Sequence, residues 1–408
     1  MNSPLNIHAP IVGISQKTQF TDISFLIEEE QNLWSLTYHV PSTFSEYVTT
    51  EVADACVVAL LMYAMKKGYD IHSTLPVSDN LLMKLNKYLI PFLNRINPSL
   101  HPIKIIAHPY SGIFKGCHTG TGISCGVDSL STVVYHGMDE IIPAYKIDTL
   151  TLLNTGYYGT SEENSERYRK YLKRSILFCE NNGYSFLSVD TNVSNQTHYD
   201  FLSAHTYLTC STILLFQKYF HNYFYASGYP VFNFEANFKD PAYYDTFLLE
   251  CISTRSLRFT SACCTMSRVQ KTRLIAEHLD IFKFLYVCFA GNPEKNCSRC
   301  EKCVRTMLAL EALGMRERIG EIFEEDIYNK NRILYMSYML RHRRKNVFYQ
   351  EIYDEMRHNH IPIPLLAYTN PVPCRFEARQ WLSSFAKTPF GHWLKMVVTR
   401  YDKAHLLF

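Results

Sequence analysis

The stretch GISCGVDS, Gly122–Ser129, packs small residues, two serine hydroxyls and one carboxylate into eight positions. A loop of this kind can bring backbone N–H groups against an anion. The N-terminus of a following helix adds free N–H groups and the positive end of its dipole. Gly126 permits close backbone approach, and Ser124, Ser129 and Ser131 add hydroxyl donors. Asp128 does not suit a bare anion. It suits a residue that orients the loop, or one that meets a magnesium ion travelling with phosphates. An ordinary strand-to-helix turn with an N-cap is the plainer reading.

The second constellation is Cys288, Cys297, Cys300 and Cys303, spaced C-x8-C-x2-C-x2-C. Four thiolates in a short segment suit tetrahedral zinc, and the absence of a histidine or an open position marks a closed, structural site. Arg299, Lys302 and Arg305 would offset its negative charge. An iron–sulfur cluster or plain core cysteines are the alternatives. Cys263 and Cys264 read as small core residues.

These residues need elements to hold them. TDISFLIEEE and LWSLTYHV read as strands joined near Glu30, Gln31 and Asn32. A helix is expected from about Thr50, with Glu51 in its first turn. Ser78 is a candidate N-cap for a second helix, NLLMKLNKYLIPFLNRI, which Pro91 should kink. IKIIAH closes this first α+β unit, residues 1–115.

From about Cys117 strands and helices alternate, which argues for a doubly wound parallel sheet of the α/β class. The expected strands are TGIS, IDTLTLLNTG, YSFLSVDTN, YFYASGY and KFLYVCF. Between them lie helices through SLSTVVYHG, SEENSERYRKYLKRSILFCENNG, FLSAHTYLTCSTILLFQKYF and SRVQKTRLIAEHL. This second domain spans 116–312, and a mostly helical C-terminal extension spans 313–408. The phosphate-type loop thus falls where a strand ends and a helix begins, the ligand position of doubly wound sheets.

Composition sets limits. The chain has 408 residues, 47% hydrophobic and 19% charged, enough for a large core. A net charge of +3 gives no support to nucleic-acid binding, and LRHRRKNV reads as a solvated helix end. The start MNSPLNIHAPIVG shows no signal peptide, and Ala53–Met65 is too short an apolar run to span a bilayer. Thirteen cysteines without an export signal point to reduced thiols and a cytoplasmic location.

The loop is neither a Walker loop, since no Gly-Lys-Ser/Thr follows, nor a dinucleotide fingerprint. Ser124, Gly126, Asp128 and Ser129 resemble the Ser-Gly-Gly-x-Asp-Ser loop of the PP-loop ATP pyrophosphatase superfamily, with Cys125 in place of the first glycine. Taken with the cysteine spacing, the stretch from about Cys117 to Leu310 resembles the 7-cyano-7-deazaguanine synthase group of queuosine-type biosynthesis. Longer synthase-like proteins of bacterial defence and biosynthetic clusters look closer still.

The resemblance implies an adenine nucleotide alpha hydrolase-like fold and a ligase that uses ATP with Mg2+ and carries Zn2+. It implies adenylation of a carboxylate, release of pyrophosphate, and attack by ammonia or an amine. Nucleotide would be held by Ser124, Cys125, Gly126, Val127, Asp128 and Ser129, with Asn154 and Gly156 beside the adenosine. Asp128 and Lys271 would be catalytic, Lys271 by holding the β- and γ-phosphates. Lys271 as a solvated helix residue is the plainer alternative.

Softer candidates are Tyr225–Tyr229, which could face the acceptor, and Glu235, Asp240, Asp245 and Arg258 in a polar insertion. His205 reads first as a satisfied core histidine and second as catalytic. The acceptor would be a small-molecule carboxylate or a protein terminus. A homodimer or an operon-encoded protein partner stays open; a membrane partner is not expected. Two rivals remain: tRNA thiolation through Cys125, Cys210 or Cys263, and a non-catalytic, zinc-stabilised nucleotide-binding scaffold.

Overall fold

Period-two alternation builds the N-terminal strands. In the computed structural model, which describes residues 3–14, 19–156, 162–288 and 295–372 together with Glu377, the first strands are β1 (Pro4–Ile7), β2 (Ile11–Ile14), β3 (Phe20–Glu29) and β4 (Asn32–Pro41). Ile23, Phe25 and Ile27 on β3, and Leu36, Tyr38 and Val40 on β4, are buried, while the residues between them are not. Short strands β5 (Asp70–Ser73), β6 (Val77–Ser78), β7 (Ile105–Ile106) and β8 (Pro109–Tyr110) follow. β6 and β8 pair apart from the main sheet.

Five further strands carry the functional argument: β9 (His118–Gly122), β10 (Thr149–Asn154), β11 (Ser185–Thr191), β12 (Phe220–Ala226) and β13 (Arg258–Ala262). They lie in the order β13-β12-β9-β10-β11, and every pair among them is parallel. The chain starts in the middle, winds to one side, then returns and winds to the other. The direction reverses between β9 and β12, and such a reversal opens a crevice at the carboxyl ends of the strands.

Helices cover both faces. Adjacent residues of β12 point opposite ways: Phe224 stacks on His136, ring centroids 3.8 Å apart, while the Tyr225 hydroxyl meets His205 on the helix Phe201–Leu214. The sheet does not stop at β11. Asp190 and Thr191 pair antiparallel with His39 and Tyr38 of β4, and the Asn192 side chain extends the ladder to the backbone of Thr37 and Ser35. β4, β3, β1, β5 and β7 complete one large, mostly parallel sheet. The expected boundary at 115/116 lies in the connection between β8 and β9.

A buried polar node ties the N-terminal helix Asp54–Lys67 to the rest. Asp54 accepts from the Ser78 N–H at 2.8 Å, the Ser78 hydroxyl at 2.5 Å and the Gln217 amide at 2.9 Å. Gln217 in turn accepts from Thr254 at 2.6 Å.

The chain divides into two compact units: Met1–Ser124 with Asp128–Thr265, and Cys125–Val127 with Met266–Phe408. The second is helical, built on Arg268–Glu277, Glu301–Ala312, Glu325–His342 and Val347–His358. No helix among the described residues is long and apolar enough to cross a membrane.

Several local expectations need correction. The expected final strand from Lys283 does not form: Phe284–Cys288 are buried but paired with no strand among the described residues. Its N–H groups go elsewhere, that of Tyr286 to the Cys125 carbonyl and that of Val287 to the Asn296 side chain. The fifth parallel strand is β13 instead, at the end of the stretch read as a polar insertion. The first helix begins at Asp54 rather than near Thr50. Ser78 precedes the second helix but does not cap it, because its hydroxyl is spent on Asp54. Ahead of Pro91 that helix widens into a π-helical stretch, Leu85–Leu89, which absorbs the missing N–H. Ser161, Phe289 and the end of the C-terminal extension lie outside the described residues.

Candidate functional site

The loop follows β9 directly, at the point where the strand order reverses. Ser124 is exposed and Gly126 and Asp128 are half-buried, whereas Cys125, Val127 and Ser129 are buried. The Ser129 hydroxyl accepts the Ser124 N–H at 3.3 Å and lies 3.3 Å from the Ser124 hydroxyl, which closes the loop over the start of the helix Val127–Val133. Ser131 is no anion donor in this arrangement: its hydroxyl, like that of Thr132, bonds back to the Asp128 carbonyl, at 3.0 and 2.8 Å.

Cys125 has φ of +56°, the left-handed region that favours glycine. The residue is not glycine, but its backbone takes a conformation that glycine adopts without steric penalty. The side chain is fully buried.

At the carboxyl end of β10, Asn154 donates to Asp190 of β11 at 2.9 Å, and its own Oδ1 is buried without a hydrogen-bond partner among the described residues. Gly156 has φ of +118°, and a Cβ there would lie 1.9 Å from the Ser194 hydroxyl. Glycine is required at that position by packing, whatever else it does.

Lys271 belongs to the second unit, on Arg268–Glu277, and is only 1% exposed. It is therefore not a solvated helix residue. Ser267 and Gln270 form a capping box at the start of its helix, and the Glu351 carboxylate accepts the Arg268 N–H at 3.0 Å. Burial raises Glu351 above the ordinary carboxylate range, opposed by Arg268, Lys271 and Arg305. A shallow, partly open pocket is lined by Arg268, Thr272, Arg305 and Phe348. The Arg305 guanidinium sits 4.3 Å from the Phe348 ring centre.

The cysteines converge as their spacing predicts. The sulfurs of Cys288, Cys297, Cys300 and Cys303 all lie within 4.8 Å of one another. Three separations are 3.4, 3.8 and 3.9 Å, far beyond a disulfide bond. A tetrahedron with metal–sulfur bonds of about 2.3 Å has sulfur–sulfur edges of about 3.8 Å, so the donor set fits zinc. Hydrogen bonds from Cys297, Cys300 and Cys303 push the Cys288 thiol far down, and the same crowding pushes Cys303 up. Four sulfurs cannot all ionise side by side without a cation.

The cluster is held by its surroundings. Ser298 turns with φ of +58°, its hydroxyl accepts the Glu324 N–H at 2.8 Å, and its carbonyl accepts the Tyr335 hydroxyl at 3.1 Å. Asn296 clasps the segment that carries Cys288, accepting from Val287 and donating to the Leu285 carbonyl, both at 2.9 Å.

One grouping was not legible as a unit in the sequence. His205 Nδ1 lies 2.7 Å from the Tyr225 hydroxyl, and its Nε2 lies 3.2 Å from Asp240 Oδ1. The three come from a helix, the end of β12 and a loop. Each could be singled out, but no spacing links them. The signal for Tyr225 was its place near the end of an expected strand.

Comparison with protein-family models, with curated proteins and with solved structures finds no match. Fold and site define a class: a mixed α/β protein with a large, mostly parallel central sheet and a four-cysteine cluster that could hold a metal such as zinc.

Proposed function

We propose that the protein is an ATP-dependent ligase of the PP-loop pyrophosphatase type, which adenylates a carboxylate and passes the acyl group to ammonia or an amine. One observation carries this reading: Ser124–Ser129 follows the central strand at the reversal of strand order, with left-handed backbone at Cys125.

In this reading the loop N–H groups and the Ser124 hydroxyl hold the phosphates. Asp128 is the carboxylate that would hold magnesium, which supplies charge neutralisation. The substrate carboxylate attacks the α-phosphorus and pyrophosphate leaves. A nitrogen nucleophile then displaces AMP. Zinc would serve the fold of the second unit. By resemblance the carboxylate belongs to a deazapurine; the polar insertion and the N-terminal strands would instead admit a different small molecule or a protein terminus.

The thiolation alternative gains nothing from the cysteines. Cys125 and Cys210 are fully buried, and burial holds the Cys210 thiol well above its ordinary range. A nucleophilic thiolate needs the opposite environment.

The test is pyrophosphate release from ATP with magnesium and a panel of carboxylates that includes 7-carboxy-7-deazaguanine, beside Asp128→Ala. Release that needs a carboxylate and vanishes in the variant supports adenylation. Failure of the folded, metal-loaded protein to bind ATP would leave the scaffold reading.

A further inference from the structure

We propose that the loop Gly137–Lys146 is a docking surface for a second copy of this chain, which it meets about a two-fold axis.

The loop turns apolar surface outward. Ile141 is 90% exposed and Ile142 52%, and Tyr135, Met138 and Tyr145 beside them are exposed as well. Every residue from Ile141 to Lys146 is exposed. A single exposed apolar side chain is ordinary, but a contiguous group of them marks a binding surface.

The backbone beneath this surface is fixed. The Ile147 N–H donates to the His136 carbonyl at 2.8 Å and closes the base of the loop, and the Asp139 N–H donates to the Val134 carbonyl at 3.0 Å. The Ala144 carbonyl takes donors from two strands: the Thr119 hydroxyl of β9 at 2.9 Å, and His221 Nε2 and the Asn222 amide of β12 at 2.8 and 3.1 Å. The Ile142 N–H goes to Glu140 Oε1 at 2.9 Å, and the Ile142 carbonyl accepts the Tyr145 N–H at 2.9 Å. A loop held in this way loses little freedom on association, so its apolar surface contributes to affinity instead of offsetting the ordering of the loop.

Charge selects the occupant. Asp139 and Lys146 are exposed at opposite ends of the loop, and neither has an ion-pair partner among the described residues. A partner of one charge sign would be attracted at one end and repelled at the other. A second copy turned by a two-fold rotation sets the Asp139 end of each loop against the Lys146 end of the other, with Ile141 and Ile142 between them. The loop is its own complement.

The anchoring residues Thr119, His221 and Asn222 stand near the first residues of β9 and β12. Docking is thus at the amino ends of these strands and leaves their carboxyl ends uncovered. The proposal does not rest on the adenylation reading. Gly137–Lys146 is smaller than the roughly 20–30 residues a side of a standard interface, so the dimer is a weak one, with a Kd of about 10–100 μM.

Sedimentation velocity between about 1 and 300 μM protein tests this. Wild type should pass from monomer to dimer across the range. Ile141→Asp, at a position open enough to leave the fold intact, should weaken association about thirtyfold or more. Asp139→Lys and Lys146→Asp should each dissociate, because either variant alone sets like charges together at both ends. An equimolar mixture of these two variants restores opposite charges at both ends and should dimerise about as well as wild type. Thermal unfolding checks that each variant stays folded, and the mixture decides the matter even where Ile141→Asp does not. Wild type that remains monomeric at the highest concentration overturns the proposal. So does a dimer that Ile141→Asp leaves intact, or a mixture that stays dissociated, since the contact between copies then lies on another surface.

Discussion

Tyr286 donates its backbone N–H to the carbonyl oxygen of Cys125 at 2.8 Å, and Cys125 holds φ at +56°. The hydrogen bond fixes a backbone that a non-glycine residue adopts at a cost of about 1–2 kcal/mol. Cys125→Gly relieves that cost but loses a small buried side chain, so its stability should stay within about 1 kcal/mol of wild type. Cys125→Val, β-branched at positive φ, should lose about 2 kcal/mol or more. Denaturant unfolding of both variants checks this. Equal losses would mean that side-chain packing, not backbone, sets the requirement.

Gly156 gives a sharper case. An alanine there combines φ of +118° with a Cβ 1.9 Å from the Ser194 hydroxyl and 2.5 Å from its Cβ. Gly156→Ala should cost roughly 2–4 kcal/mol. Adding Ser194→Ala removes only the nearer atom, so the double variant should stay well below wild type. Full recovery in thermal unfolding would show that the loop relaxes freely.

The four-cysteine cluster predicts about one zinc per chain in elemental analysis. Cys297→Ser or Cys303→Ala should weaken zinc binding more than about tenfold, the scale on which even outer partners of metal ligands act. Chelation should lower the unfolding temperature of wild type. Iron with a visible charge-transfer band, in place of zinc, would reverse the assignment of metal.

Asp54 links stability to pH. Burial raises its carboxyl above the ordinary aspartate range, and bonds from Ser78 and Gln217 only partly offset this. A raised folded value means that the native state holds the proton more tightly than the unfolded chain. The Asp54 contribution is therefore fully present below the unfolded value and is lost as pH rises through the folded one. Asp54→Asn should flatten the fall in unfolding temperature that this residue causes above about pH 4. A slope unchanged by the substitution would place Asp54 outside that titration.

Local patterns account for what was legible. The spacing of Cys288, Cys297, Cys300 and Cys303 specified a cluster because a short chain segment can reach round one ion. The alternation in β3 and β4, and the strand-to-helix setting of Ser124–Ser129, were equally local. β13 was missed because Arg258 and Thr260 face solvent and leave too few apolar residues to mark a strand. The run Phe284–Val287 misled for the opposite reason. It is apolar and buried, yet its N–H groups found a carbonyl and an asparagine side chain instead of a neighbouring strand.

The sequence by itself determined the α/β class of the central part, the metal-type cysteine cluster and the loop with a carboxylate. Each rests on residues close along the chain, where covalent connection already limits the distances. Tertiary structure alone decided the strand order that puts the loop at the reversal, and the pairing of β4 with β11 that joins the N-terminal strands to the same sheet. It also decided the meeting of His205, Asp240 and Tyr225. Hydrogen bonds between strands and between side chains far apart in sequence depend on which elements pack together. That choice is made by the burial of whole faces rather than by any one motif.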